Sequence, residues 1–396
     1  MTKKIIVLLM FGLILRLVLM FTTFHLDIRG HNLAAYLISQ KGEVLTFYDY
    51  ISRLPRTHRW VEVYRDNLFI YPPLSYLTLS AFMKVLGPIY PWNTFFALIH
   101  EVDSIPKDYT WLLLKFLLKF PYLVIEGLGI CWLIKKVDLK ARDKFILGLA
   151  LNVPVLFSAY MMGQFDVIIA ILIAVSAIAS LKKPTIWSAV LLGVAAGFKP
   201  FPLLLLPLLG EGIKDKLKYV LIGVATYILI IFPYLGSAGF RRYALLASQT
   251  DKIEFAKILV SGSQYLALFW VLSILLWWWN WYDHKRLTLV EWYLAGLLVF
   301  YSVTHFHPQW FTWGSLLIVW IGAHKKELRL PLLVLVLSFV ALLMLFEPSL
   351  NFGLFGVKFD LFATINKHFP ADQFASILRS LFAATGIVTI LRLRKS

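Results

Sequence analysis

Four short stretches of this 396-residue chain hold side chains that could do chemistry. "HLDIRGH" (25–31) offers Asp27, Arg29 and His31, and "MMGQFD" (161–166) offers Gln164 and Asp166. "FKPFP" (198–202) carries Lys199, and "THFHPQW" (304–310) carries His305, His307 and Gln309. Arg241 and Arg242 in "GFRRY" and Tyr71 in "YPPL" complete the set. A carboxylate among cations and histidines suits one type of step. The carboxylate takes the proton of an attacking hydroxyl, and the cations stabilise charge developing on a phosphate leaving group at low dielectric. A phosphate leaves without protonation, so no general acid is required.

The elements that must position these groups are apolar. Hydrophobic residues make up 60% of the chain and charged ones 15%, with a mean hydropathy of +0.75. Soluble domains carry about 25% charged residues, so the composition predicts an integral membrane protein. The net charge of +17 does not point to nucleic acid, because Lys and Arg cluster between apolar runs, where the positive-inside rule places them. Anionic membrane lipids are the partners such clusters meet. The single cysteine, Cys131, excludes an intrachain disulfide.

A span needs about 20 apolar residues. Lys3 and Lys4 hold the N-terminus in the cytoplasm, and the first apolar run, uncleaved because it lacks a small-residue cleavage site, spans near 5–24. "KKVDLKARDK" (135–144) is cytoplasmic, so one inward span near 111–134 joins them and 25–110 forms a first outer loop. Within it, 71–87 opens on two prolines and reads as an interfacial amphipathic segment. Further spans follow near 145–160, 166–181, 186–198, 201–210, 218–235, 259–280, 288–304, 310–323, 330–346 and 376–392. This makes an all-α polytopic protein of about twelve spans, both termini cytoplasmic, in one domain (1–396) without an appended soluble domain.

The legs 186–198 and 201–210 are too short for a core of about 30 Å. With Pro200, Pro202 and Pro207 they make a broken hairpin whose apex, Lys199, faces a cavity open to the outside. On this topology all the groups named above fall on the outer side. Each also has a plainer role. Asp27 could be a solvated loop residue, and Asp166 a helix cap. Arg241 and Arg242 could meet lipid headgroups, and His305 and His307 could sit at the interface. Arg16, Lys115, Lys119 and Glu126 lie within spans; for Arg16 and Glu126 the expectation is an ion network that fixes helix packing.

The order of these motifs resembles the GT-C superfamily of polyprenyl-phosphate-sugar-dependent glycosyltransferases, in particular the lumenal dolichol-pathway glucosyl- and mannosyltransferases. The resemblance rests on Asp27, "YPPL" (71–74), Lys119 before Glu126, "GQFD" (163–166), "FKPFPLLLLP" (198–207) and "HFHPQW" (305–310), and runs through nearly the whole chain. It implies an inverting transfer of mannose or glucose from a polyprenyl- or dolichyl-phosphate sugar to a hydroxyl of a lipid-linked or protein acceptor. Asp27 would be the catalytic base. Lys199 and His307, with His305 as the alternative, would contact the donor phosphate, and Arg241 and Arg242 would assist. Arg29, His31, Gln164, Asp166, Gln309 and Tyr71 would line the substrate site. The WWD motif and C-terminal soluble domain of the superfamily's oligosaccharyltransferases are missing, as is their metal-binding DxD, although Asp49 in "FYDY" lies in the corresponding loop. Transfer is therefore expected to need no cofactor, with a divalent metal left open. A secondary transporter and an outer-leaflet polysaccharide polymerase or ligase remain as alternatives.

Overall fold

A computed structural model describes residues 3–64, 69–246, 248–305 and 307–393. Phe306 and the basic tail residues Arg394 and Lys395 lie outside them. The described chain is nearly all helix, with one two-stranded hairpin.

Among the described residues six helices are long and apolar enough to cross a membrane: Lys3–Thr22, Tyr109–Ile134, Leu139–Met162, Ile213–Tyr234, Lys326–Met344 and Ala371–Leu393. They coincide with six of the twelve expected spans. The other expected spans are shorter. Asp166–Ala179 has 14 residues and Ile186–Ala196 has 11, or about 21 and 16 Å at 1.5 Å per residue. Leu289–Val303 and Thr312–His324 are similarly short.

The prolines decide the shape of the short hairpin. After Ile186–Ala196 the chain turns at Gly197 to Pro200, and Phe201–Leu208 continues as a 3-10 helix with Pro202 and Pro207 inside it. Proline removes the amide an α-helix would use and clashes with the preceding turn. Gly193 lets this hairpin approach Ile213–Ile231, since a Cβ there would lie 2.5 Å from the Gly223 carbonyl oxygen.

The expected span at 259–280 is corrected. Lys257–Ser261 and Gln264–Ala267 form an antiparallel hairpin, and only Leu268–Tyr282 is helical. "KILVSGSQYLA" holds β-branched Ile258 and Val260 before a two-residue Gly262–Ser263 loop, with Gly262 at φ 53°. Glycine at the first loop position favours a tight hairpin turn over a helix. Ile258, Leu259, Val260 and Leu266 are exposed.

The described part of 25–110 that precedes Tyr109–Ile134 packs against one end of the bundle. Asp27–Lys41 is buried along most of its length against Leu74–Leu86, a 13-residue helix too short to span. "YPPL" fastens this layer to the hairpin apex. The Leu74 amide donates to the Gly197 carbonyl at 3.1 Å, and the Ser75 hydroxyl to the Phe198 carbonyl at 3.0 Å. These satisfy carbonyls that the end of Ile186–Ala196 leaves open.

Deeper in the bundle, Arg16 donates to both Glu126 oxygens at 2.7 and 2.6 Å and to the Leu149 carbonyl at 3.0 Å. Tyr160 adds a hydroxyl to Glu126. The expected network therefore ties three span-length helices together. Lys119 is not part of it. Its ammonium reaches the Thr23 carbonyl at 2.7 Å, and Lys115 reaches the Phe21 carbonyl, so two cations cap the end of Lys3–Thr22.

Glu126→Ala should cost about 3–5 kcal/mol of stability, because it leaves the Arg16 guanidinium buried without its counter-charge. Arg16→Met together with Glu126→Leu should cost much less. Denaturant unfolding in detergent micelles reads both, and equal losses for the single and double variants would contradict the assignment.

Candidate functional site

A cavity of about 600 Å³ opens where these helix ends meet. Its wall takes Asp27, Arg29 and His31 from the start of Asp27–Lys41, Tyr71 from just before Leu74–Leu86, Lys199 from the hairpin apex, and His307, Gln309 and Trp313 from the start of Thr312–His324 and the turn before it. Residues from distant parts of the sequence thus share one space.

Asp27 follows directly on Lys3–Thr22, whose last carbonyls Lys115 and Lys119 hold. Its side chain is 46% exposed, so the carboxylate is available to a substrate. Gln164 donates to Asp27 Oδ2 at 2.8 Å from behind. Gln164 is brought there by an irregular turn. Leu156–Met162 is a π-helix that ends at Gly163 with φ 75°, a left-handed conformation that glycine adopts without strain. The Gly163 carbonyl accepts from the Tyr122 hydroxyl at 2.9 Å. A side chain at 163 would also strike Ile28, whose Cδ1 would lie 2.5 Å from an added Cβ.

Lys199 is buried, and its ammonium lies 2.6 Å from Asp166 Oδ1. The Trp313 indole donates to the same oxygen at 2.6 Å, and Asp166 Oδ2 has no partner among the described residues. The rings of Tyr71, Phe165 and Trp313 surround the ammonium, with centroids at 5.1, 5.0 and 5.5 Å. Asp166 and Gln164 are fully buried and do not line the cavity. Expected as substrate contacts, they instead hold Lys199 and Asp27 in place.

His307 lines the cavity and is hydrogen-bonded through Nε2 to the Lys252 ammonium. Burial and then the neighbouring Lys252 push His307 down to about 3, so the imidazole is neutral and accepts from the lysine. His305 lies two positions earlier in the chain. Its amide donates to the Lys252 carbonyl at 3.0 Å, its ring packs on Phe255, and it does not line the cavity. Burial lowers its pKa as well. Of the two histidines, His307 is the one at the site.

Arg241 and Arg242 are corrected. Phe240 and Ala244 are buried and set the inward face of their turn, which leaves both arginines exposed on the other side. Arg241 caps the Leu235 carbonyl at 2.7 Å, and Arg242 lies over Tyr243. Arg29 does line the cavity; it donates to the Ile99 carbonyl at 2.9 Å and leaves Nε without a partner among the described residues. The Gln309 side-chain Oε1 is likewise buried and unpartnered among them. Tyr71 packs edge-on to His31 and Phe165.

Four groups at or beside the site were not singled out in the sequence. His25 places Nδ1 3.6 Å from Asp27 Oδ2, and its position two residues before Asp27 was a visible signal. Glu347, at the end of the Arg329–Met344 helix, adds a second exposed carboxylate to the wall. Trp313 follows Trp310 by one turn, and the two indoles stack at 5.6 Å. Lys252 lies in "QTDKIE", which reads as an ordinary polar loop. Among the described residues no group of three or more His, Cys, Asp or Glu is gathered as metal ligands would be. Comparisons with protein families, curated proteins and solved structures found no match for this chain.

Chemically, the cavity offers an accessible, oriented carboxylate together with cations held by neutral or anionic neighbours on an aromatic floor. It can take a proton at Asp27 and bind an anion at Lys199, with Lys252 next to the wall residue His307.

His31 supplies a pH test. Burial, opposed by Asp27 and reinforced by Lys199, lowers its pKa from 6.5 to about 4. Between these values the folded state binds fewer protons than the unfolded one. Its contribution to stability is therefore whole above 6.5 and is lost as pH falls toward 4. Thermal unfolding across that window should descend less steeply for His31→Phe than for wild type, and identical slopes would refute the assignment.

Proposed function

We propose that this chain is a GT-C-type membrane glycosyltransferase. It moves a hexose, mannose or glucose, from a polyprenyl- or dolichyl-phosphate sugar to an acceptor hydroxyl, with inversion and with Asp27 as general base. The observation that carries this reading is the half-exposed, Gln164-oriented Asp27 facing a cavity that also holds Lys199. Apolar side chains such as Leu26, Ile70, Met162, Phe201 and Leu350 make up much of the remaining wall, as a lipid-borne donor requires.

In the proposed step Asp27 takes the proton of the acceptor hydroxyl as its oxygen bonds to the anomeric carbon. The bond from that carbon to the phosphate oxygen breaks, and the phosphate keeps the electron pair. Attack opposite the leaving phosphate inverts the centre. Lys199 keeps donors free beyond the one it gives to Asp166, and Lys252, held by His307, supplies a second cation. The phosphate thereby gains charge stabilisation in a site poor in water.

The basic loops support an outer-side site. Lys4 pairs with Asp143 at 3.0 Å, His284 with Glu211 at 3.3 Å and Lys325 with Glu291 at 2.5 Å. These pairs sit at the ends of helices whose opposite ends reach the cavity. The positive-inside rule favours the cytoplasm for the basic end, which supports a cavity opening to the periplasmic, extracellular or lumenal side.

The test is sugar transfer by purified protein in detergent. Radiolabelled polyprenyl-phosphate hexoses would be offered with membrane-lipid extract as acceptor, with chelator or with divalent metal. Wild type should transfer. Asp27→Asn should lose about 10²–10⁴-fold in kcat with donor affinity kept, and Lys252→Ala should raise the donor KM. Full transfer by Asp27→Asn would remove the base assignment. Absence of transfer from every donor in both arms would favour a transporter, to be followed by flux measurements in vesicles.

A further inference from the structure

A second concavity, of about 540 Å³, lies between Leu139–Ala150, Thr312–His324 and Arg329–Met344. That volume is within the range of about 300–1,000 Å³ typical of ligand sites. Its walls are largely aliphatic, among them Leu147, Leu151, Ile318, Leu332 and Leu333. Glycine deepens it, since a Cβ at Gly148 would lie 2.7 Å from Val319. The polar groups at its inner end are already satisfied. Asn152 donates to Ser315 Oγ at 3.1 Å, and Ser315 donates to the Thr312 carbonyl at 2.8 Å. Nothing in the deep part calls for a polar ligand.

The mouth is different. Lys144 and Arg329 line it at the basic end of the bundle. Arg329 is fixed there by hydrogen bonds from Nε to the Gly322 carbonyl at 2.8 Å and from Nη2 to the Ala323 carbonyl at 3.4 Å. Lys144 is exposed and makes no hydrogen bond or ion pair among the described residues. Two of the flanking helices belong to span-length segments, Leu139–Met162 and Lys326–Met344. The aliphatic part of the groove therefore lies at hydrocarbon depth and its cations at headgroup level.

We propose that this groove is a binding site for an anionic phospholipid, with one acyl chain along its aliphatic walls and the headgroup phosphate paired with Lys144 and Arg329. Charge complementarity selects an anionic lipid over a zwitterionic one, whose phosphate already has an ammonium of its own. The site is also joined to the cavity wall. The Thr312 hydroxyl donates to the carbonyl of Pro154 in the groove at 2.9 Å, and Trp313, next in sequence, faces the cavity.

The test uses delipidated full-length protein in detergent, titrated with dioleoylphosphatidylglycerol or dioleoylphosphatidylcholine and read by native mass spectrometry and thermal unfolding. Wild type should bind and be stabilised by phosphatidylglycerol at several-fold lower concentration. Lys144→Gln should weaken that binding about fivefold, the factor for about 1 kcal/mol per cation at a membrane surface. Leu333→Trp, or Leu147→Trp on the opposite wall, should fill the groove and abolish the preferred binding while leaving lipid-free unfolding unchanged. Equal binding of the two lipids by wild type, or undiminished phosphatidylglycerol binding by both Trp variants, would overturn the proposal. No readout involves sugar transfer, so the outcome is independent of the proposed function.

Discussion

A lysine ammonium inside an apolar bundle is tolerated only when a counter-charge and polarisable neighbours meet it there, and at Lys199 this requirement organises three elements at once. The apex of the broken hairpin supplies the ammonium, the first residue of Asp166–Ala179 supplies the carboxylate, and Thr312–His324 supplies the indole that shares the same oxygen. Each is among the short helices, so each ends inside the bundle where its terminus can reach the others. The start of Leu74–Leu86 then closes over the apex through Leu74 and Ser75. A buried ion pair is weak evidence for stability, because well-packed apolar side chains are often as good. What it supplies here is position: a cation fixed at the cavity floor whose remaining donors face an opening.

The same requirement governs the approach to Asp27. Lys3–Thr22 ends at the cavity with open carbonyls, and buried carbonyls need donors. Lys115 and Lys119 provide them from Tyr109–Ile134, and Arg16 joins that helix again lower down through Glu126. The first helix is thus clamped at two depths before the chain turns into Asp27. From the other side the π-helix and Gly163 deliver Gln164 to the carboxylate. The wider turn of a π-helix rotates the residues after it relative to an α-helical path, and irregular helical turns of this kind recur at functional sites.

Elements that depend on local pattern were readable from the residues. Long apolar runs marked the six span-length helices, prolines marked the broken hairpin, and charges isolated in hydrocarbon marked Arg16, Glu126 and Lys199. Features that depend on packing were not. Arg241 and Arg242 look as useful as any cation near a span end, and only the burial of Phe240 and Ala244 shows that they face away. Lys252 is indistinguishable in sequence from its solvated neighbours until His307 is placed beside it. The hairpin at 257–267 was absorbed into a span because apolar content outweighed the period-two pattern and the Gly262–Ser263 turn. Gln164 and Asp166 were recognised as belonging to the site, but whether they touch a substrate or support those that do is a question of depth, which spacing does not encode.

The distribution of charge around the cavity has a consequence for any lipid-phosphate substrate. Asp27 and Glu347 come from the turn after the first helix and from the end of Arg329–Met344. Lys199 and Lys252 instead lie beside the stacked indoles of Trp313 and Trp310, at 5.5 and 6.0 Å from their ring centroids. Arg29 apart, which shares a helix with Asp27 and is held by the Ile99 carbonyl, acidic and basic groups are thus carried by different elements. His25, His31 and His307 all have lowered pKa values through burial, so in the neutral range they add little charge to either set. An anion is drawn to the cations with the aromatic surface beneath it, and a hydroxyl awaiting deprotonation is drawn to the carboxylates. On the proposed function this separation orients donor and acceptor before any bond changes, because the reverse arrangement would put the donor phosphate against Asp27 and Glu347. Orientation of that kind needs no moving part. It is set by the ion pair at the cavity floor and the clamp on the first helix.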